Sequence, residues 1–307
     1  MEKGHIMKKI VLSVLLVVAL TFFTIAFTAC GDESVENEIA TKTYFTPTKA
    51  VISSSNGTSS IKIELGENNL PAKQTQIRFG ELNQVCDYTY DARNNLIQLV
   101  STDLDGEVIS ITENIFTSDD KLEKSYSKTA DGQCMLTVLY QYDANGNVIK
   151  TLVLDADGDE AQTIIVTYDD NKLIQEDYYT DGNVSSTVYS YNSDGKLVEM
   201  RDSYGTWSYT YDASGHVVKA VCPNIYDYTK YDTTITYTLT YNENGNITQI
   251  VSTDDSGETC TVTIEYEEVT VTTNMEVNQI INITSIFQSL KSMDNVFPTP
   301  DLEVIPF

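Results

Sequence analysis

The sequence predicts an all-β protein, built of consecutive antiparallel β-hairpin repeats that form one elongated, twisted or curved meander sheet with a short C-terminal capping helix. Three observations lead there. An aromatic–acidic–glycine pattern recurs, with anchors at Tyr90, Phe116, Tyr142, Tyr168, Tyr191, Tyr211, Tyr241 and Tyr266, at intervals of 20 to 30 residues. Self-similarity of that period marks a repeated supersecondary unit. A second turn signal falls within the intervals, as at Asp105-Gly106, Asp131-Gly132, Asp157-Gly158, Asp181-Gly182 and Ser256-Gly257, leaving strands of ordinary length between reversals. The runs between turns alternate with period two and are rich in Thr, Val, Ile and Tyr, which suit pleated strands.

Residues 1–29 read as an export signal. Lys8 and Lys9 form a basic start, Ile10 to Ala29 is apolar or small, and Phe27-Thr28-Ala29-Cys30 follows. That tetrapeptide resembles the processing signal of bacterial lipoproteins, with Phe27 in place of the usual Leu. The resemblance implies cleavage before Cys30 and lipid attachment to its thiol. An uncleaved membrane-spanning segment is the alternative, since about 20 apolar residues can span a bilayer. Either reading exports the body, anchored at the cell surface or in the periplasm. Residues 30–43, acidic and aperiodic, are expected to form a lipidated tether.

Residues 44–87 hold looser strand-like runs (Lys49–Ser53, Ile61–Leu65, Thr75–Phe79) and are expected to begin the sheet or cap it. The repeats proper occupy 88–266. They read YTYDARNNL from Tyr88, YQYDANGNV from Tyr140, YSYNSDGKL from Tyr189, YTYDASGHV from Tyr209 and LTYNENGNI from Leu239. Gly146, Gly195, Gly215 and Gly245 supply the positive φ of the turn. With Tyr90, Tyr142, Tyr168, Tyr191, Tyr211 and Tyr241 they are the structural anchors of the repeat. This pattern resembles the YD repeats of the Rhs family. The resemblance implies hairpins running on as one spiralling sheet, which in large members closes into a shell around a toxin. Here the copies are few and no toxin-like domain follows them, so a curved ribbon of some sixteen strands, roughly 75 Å long, is expected instead of a closed shell.

In residues 267–307, Ile280, Ile283, Phe287 and Leu290 recur at helical spacing. A short helix over the last hairpin would cover an edge that otherwise invites aggregation. Phe297–Phe307 reads as an extended tail.

Charge and residue inventory narrow the function. A net charge of −26 repels phosphate backbones and argues against nucleic-acid binding. Past the signal segment there is one histidine, His216, placed in a turn, so a Cys/His zinc site cannot be written and a histidine-dependent nucleophile lacks a partner. Asp155-Ala-Asp157-Gly158-Asp159-Glu160 lacks the glycine and glutamate spacing of a calcium-binding hand. No metal or cofactor is expected. Cys86, Cys134, Cys222 and Cys260 lie three or four strands apart in a sequential meander, beyond disulfide reach, and should be unpaired and mostly buried. The paired tyrosines should stack into a ladder across neighbouring hairpins. The aromatic-rich insertion carrying Tyr226, Tyr228 and Tyr231, beside Trp207, is the candidate ligand-contact patch. The function expected is therefore a non-catalytic binding or adhesion module for a glycan or protein ligand. The alternatives are an accessory or immunity partner of an Rhs-type toxin, and a surface glycan hydrolase, which would require a cleft that raises one carboxyl pKa.

Overall fold

The computed structural model describes residues 41–272 apart from 56, 67–68, 204 and 224–233. The export segment, Cys30, the tether up to residue 40 and the expected C-terminal helix lie outside the described residues.

Each hairpin follows from the chemistry of its turn. In Asn192-Ser-Asp-Gly195-Lys196, the Asn192 Oδ1 accepts the backbone N–H groups of Asp194 and Lys196 at 3.0 and 2.9 Å. The Gly195 N–H closes the turn on the Asn192 carbonyl at 3.0 Å. Gly195 stands at φ 78°, a conformation costing an ordinary residue about 1–2 kcal/mol. Asp143, Asp212, Asn242 and Asp254 repeat the arrangement. In two copies Asn94 and Asp120 take glycine's place, at φ 67° and 61°; short polar side chains tolerate that region best. Beyond the turn the register slips at Ser190/Tyr191, Thr210/Tyr211 and Thr240/Tyr241, bulges that bend and twist the strand.

The strands are β1 (Thr41–Ser54), β2 (Gly57–Leu65), β3 (Pro71–Arg78), β4 (Glu81–Tyr90), β5 (Leu96–Thr102), β6 (Val108–Phe116), β7 (Leu122–Lys128), β8 (Cys134–Tyr142) and β9 (Val148–Leu154). There follow β10 (Glu160–Asp169), β11 (Lys172–Thr180), β12 (Asn183–Tyr191), β13 (Leu197–Arg201), β14 (Thr206–Tyr211), β15 (Val217–Pro223), β16 (Thr234–Tyr241), β17 (Ile247–Asp254) and β18 (Thr259–Thr272). Every strand pairs antiparallel with its sequence neighbour, as the turn punctuation predicts. Residues 44–87 fall in β1–β4 and are part of the same wall.

The ribbon closes, contrary to the open sheet expected. β1 pairs with β18 from Thr41 opposite Thr272 to Ser53 opposite Thr261, giving a closed 18-stranded barrel. Two physical reasons make closure available. An even strand number in an up-and-down meander brings the first and last strands together antiparallel. Bulges repeated in hairpin after hairpin, at Thr89/Tyr90, Ile115/Phe116 and Gln141/Tyr142 as well as those above, accumulate curvature in one direction. Closure then pairs both edges.

The antiparallel order sends the repeat turns (91–95, 117–121, 143–147, 192–196, 212–216, 242–246) to one end of the barrel and the intervening turns to the other. The chain joins the barrel at Thr41 and leaves it at Thr272, both at the repeat-turn end. Along the strands, alternate residues point in. From β10 through β18 to β2 the inward positions are apolar and buried, including Leu197, Met200, Ala220, Ile250, Val262 and Ile52. A smaller apolar cluster lies on β7–β9, with Leu122, Leu136, Val138, Tyr140 and Val153.

Candidate functional site

The anchor tyrosines do structural work. Tyr142, Tyr191, Tyr211, Tyr241 and Tyr266 each donate their hydroxyl to a backbone carbonyl of the preceding hairpin: Leu122, Leu173, Leu197, Val217 and Ile247, at 2.7–2.8 Å. Over four of these rings lies the residue that follows the turn's left-handed position. Lys121 stands over Tyr142 at 5.5 Å, Lys172 over Tyr191 at 5.8 Å and Lys196 over Tyr211 at 5.1 Å. His216 stacks on Tyr241 with ring centroids 4.6 Å apart. These side chains also run beside the next glycine: a Cβ on Gly195, Gly215 or Gly245 would come within 3.0, 2.9 or 3.2 Å of Lys172 Nζ, Lys196 Nζ or His216 Nε2. The repeat thus interlocks tyrosine, a lysine or histidine, and glycine. The expected ring-on-ring ladder does not form among these anchors. Equivalent tyrosines are two strands apart, about 10 Å, and the intervening strand supplies the lysine or histidine that fills the gap. Burial pushes the Tyr142 phenol up to about 12. Burial, reinforced by the neighbouring Tyr191, does the same for Tyr211.

The inner wall offers a different chemistry. On β3–β7 several inward positions are polar. Gln74 and Gln76 on β3, Ser101 on β5, Asn114 on β6, and Ser125 and Ser127 on β7 are all buried. They lie on one side because their registers align: Gln74 stands opposite Cys86, Cys86 opposite Ser101, and Asn114 opposite Ser125. Other charged residues on these strands take the alternate, outward positions, where Lys73 pairs with Asp87 at 3.7 Å and Lys128 with Glu113. Arg78, next along the inward side of β3, holds its guanidinium 5.4 Å from the Phe79 ring centre, with Nε buried and without a hydrogen-bond partner.

Some of these groups are satisfied locally. Tyr88 donates to Gln74 Oε1 at 3.3 Å, and Cys86 Sγ and Ser101 Oγ lie 3.5 Å apart. Asn114 donates its amide to the Leu96 carbonyl at 2.9 Å. Three oxygens have no hydrogen-bond partner: Gln76 Oε1, Asn114 Oδ1 and Ser125 Oγ. Their residues are 4%, 7% and 0% exposed. A buried polar atom left unpaired costs about 1–3 kcal/mol, so this sector is packed less favourably than the apolar half. A second inward polar feature lies on β11 and β12, where the buried Glu176 carboxylate accepts the hydroxyls of Tyr178 at 2.9 Å and Tyr189 at 2.6 Å. It sits among the apolar half and fixes two rings of the wall.

The residues singled out in the sequence are dispersed. Trp207 lies on β14, 4% exposed and within the apolar core, with Met200 directly opposite on β13. Tyr226, Tyr228 and Tyr231 lie outside the described residues. Tyr90 and Tyr168 line the repeat-turn end with the other anchors. His216 sits at the repeat-turn end with Nδ1 3.6 Å from Asp212 Oδ2. All four described cysteines are free thiols. Cys86 and Cys222 are buried and Cys134 and Cys260 half-buried, as the strand separation predicted. Asp155 is spent on its own turn, accepting the Asp157 and Asp159 N–H groups at 3.0 Å. The buried amides and hydroxyls escaped the sequence reading. Their signal was present: TQIR and LEKSYSK carry polar residues on both faces of a strand, where the rest of the barrel alternates.

No protein-family model and no curated protein matches the chain. Among solved structures it resembles TcdB2-TccC3-TEV, with TM-score 0.35 and 16% identity over 67% of this chain. It resembles the Photorhabdus luminescens Tc holotoxin pore with TM-score 0.34 and 16% identity over 68% of this chain. A porin-like protein from Bacteroides uniformis gives TM-score 0.46 and 14% identity, covering 73% of this chain and 98% of that one. The chain spans 12% and 11% of the length of the first two. These likenesses concern β-rich architecture alone.

Proposed function

We propose that the chain is an exported, lipid-anchored, non-catalytic binding protein with YD-type repeats. One observation carries this reading: the side chains with chemistry to offer are spent on the scaffold, the tyrosines and lysines of the repeat on one another and the turn carboxylates on their own backbones. Anchoring at Cys30 holds the receptor at the membrane it serves.

A broad thermal-shift screen on the full chain, spanning neutral and acidic oligosaccharides, peptides and lipids, tests the binding reading. A ligand that binds the folded state raises its melting temperature by mass action. A shift from at least one class is expected; no shift from any class at millimolar concentration overturns the proposal. The anchor is tested separately. Cys30→Ser should release the chain from the membrane fraction and abolish its labelling by a radioactive fatty acid, and continued labelling would refute lipidation at that thiol.

A further inference from the structure

We infer that the outward face of β3–β9 is an interface and that its occupant is a second copy of this chain, set side by side with the first about a twofold axis parallel to the barrel. This goes beyond the binding reading above and does not depend on it.

The two faces of these strands run against the usual order of a barrel in water. Gln76 on β3, Ser101 on β5 and Asn114 on β6 are buried inward, while Val100 on β5 and Ile111 on β6 stand directly opposite each other on the outward side. Beside them Leu82, Ile109 and Ile115 are 38%, 48% and 44% exposed. A register shift of one residue would exchange the two faces of a strand. A register that keeps amides in and aliphatics out therefore points to a second burial for the outward set. Among the described residues, the exposed large apolar side chains lie, Phe45 apart, between Phe79 and Val184. The exposed positions of β14 and β16 hold serine and threonine instead. The apolar face is thus one-sided, and an exposed patch of this kind marks an interaction surface.

Charge and area select the occupant. The chain carries a net charge of −26, so two copies repel over most of their surface. On this face the acids in register among the apolar residues are matched: Asp87 pairs with Lys73 at 3.7 Å, and Glu113 with Lys128. Lys124, opposite Ile115, adds a further cation. Two copies can approach here without opposing like charge. Lipid is disfavoured by the same residues, since it offers no partner to an ammonium or a carboxylate. The apolar positions continue through Leu139 on β8 and Leu152 on β9, which are directly opposed. The strands β3 to β9, about 4.8 Å apart and roughly seven residues tall, cover about 34 by 24 Å. That is about 800 Å², the area each partner brings to a standard interface. A twofold axis along the barrel lays the face against itself. It also leaves both chain entries, at Thr41, at the same end, the arrangement that two copies tethered to one membrane require.

The full chain is expressed in bacterial cells in a Cys134→Ser background, which removes the half-buried thiol opposite Lys128. Ile111→Cys, in the middle of the face, and Thr238→Cys, on the outward side of β16, are made separately, and intact cells are treated with a short bismaleimide. Ile111→Cys should give a cross-linked species of twice the monomer mass, and Thr238→Cys should stay monomeric. Adding Ile109→Glu and Ile115→Glu, both at exposed positions, should lower the Ile111→Cys dimer yield at least fivefold, with the fold of each variant verified by circular dichroism. If Ile111→Cys stays monomeric, no second copy sits on the face. If it cross-links to a protein of another mass, the face belongs to a different partner and the dimer is overturned. Equal yields from Ile111→Cys and Thr238→Cys, or a dimer indifferent to the two glutamates, would overturn the location. The ligand screen above is unaffected by any of these results, so the binding reading stands or falls separately.

Discussion

At the scale of single residues, the repeat is a device in which one side chain's position depends on the absence of another's. Gly215 illustrates it: at φ 94° it takes a conformation unfavourable to L residues, and Lys196 Nζ lies 2.9 Å from where its Cβ would be. Gly158, at φ 86°, has the same backbone but nothing within 4 Å. Gly158→Ala should therefore lose about 1–2 kcal/mol from backbone strain alone. Gly215→Ala should lose that and also loosen Lys196 from Tyr211. Urea unfolding midpoints compare the two; equal losses would show that the lysine–tyrosine contact contributes nothing. The tyrosines give a pH signature as well. With folded values pushed up to about 12 for Tyr142 and Tyr211, against about 10 for a free phenol, the neutral phenol is favoured in the fold. Their stabilisation is fully present below about pH 10 and is lost as pH climbs through about 12. Tyrosinate absorbance should show a late-titrating class that ionises as the β-sheet dichroism collapses. Complete ionisation near pH 10 with the sheet intact would contradict the buried stitch.

At the scale of the hairpin, the Asp-x-x-Gly turn was legible in the sequence because it is local. An oxygen at the first position collects two N–H groups, and a residue free to adopt positive φ closes the loop. The first strands were harder to read for the same reason. The β2–β3 connection turns on Asn69 at φ 57°, and the β3–β4 turn on Phe79 at φ 50° followed by Gly80 at φ 86°, neither of which carries the repeat's signature. The inward amides were illegible for another reason: alternation shows which residues share a face, and a strand polar on both faces does not announce which one points in. The turn chemistry also predicts acid sensitivity. The His216 backbone N–H holds the Asp212 carboxyl below the ordinary range, and the Ser256 hydroxyl does so for Asp254. A depressed folded value means stability that is present above the free carboxylate's pKa of about 3.9 and is lost as pH falls through the folded value. Asn192 and Asn242 show that the turn accepts asparagine at this position. The double variant Asp212→Asn with Asp254→Asn should keep the fold and flatten the decline in melting temperature below about pH 4. An unaltered acid decline would mean that these turns do not govern it.

At the scale of the whole molecule, two properties were beyond the sequence, and both arise from addition over many hairpins. The outer wall carries charge and threonine at the closing seam and on β16, and exposed apolar residues such as Ile109, Ile115 and Val184 elsewhere. Lys49 pairs with Glu265 at 2.6 Å across the closing seam, and Thr234, Thr236, Thr238 and Thr240 fill the outward positions of β16. A charge facing lipid near mid-membrane costs about 2–4 kcal/mol in a β-barrel, so the outward positions of the seam suit water better than lipid. Closure is the second property: no hairpin encodes it, but strand number and summed bulge curvature together do. It yields a sharp prediction. Val51 and Thr263 are direct partners across the seam, where opposed Cα atoms stand about 4.5–5.5 Å apart, within disulfide geometry. In an open ribbon the same two residues would sit near opposite edges, roughly 80 Å apart. The pair Val51→Cys and Thr263→Cys should therefore cross-link under mild oxidation, with the 51–263 peptide found by mass spectrometry. Tying ends so distant in sequence removes much chain entropy from the unfolded state, about 5 kcal/mol by loop-closure arithmetic, so the oxidised variant should melt well above its reduced form. Failure to cross-link in a variant that otherwise folds would mean that β1 and β18 do not meet, and the barrel would have to be replaced by the open sheet.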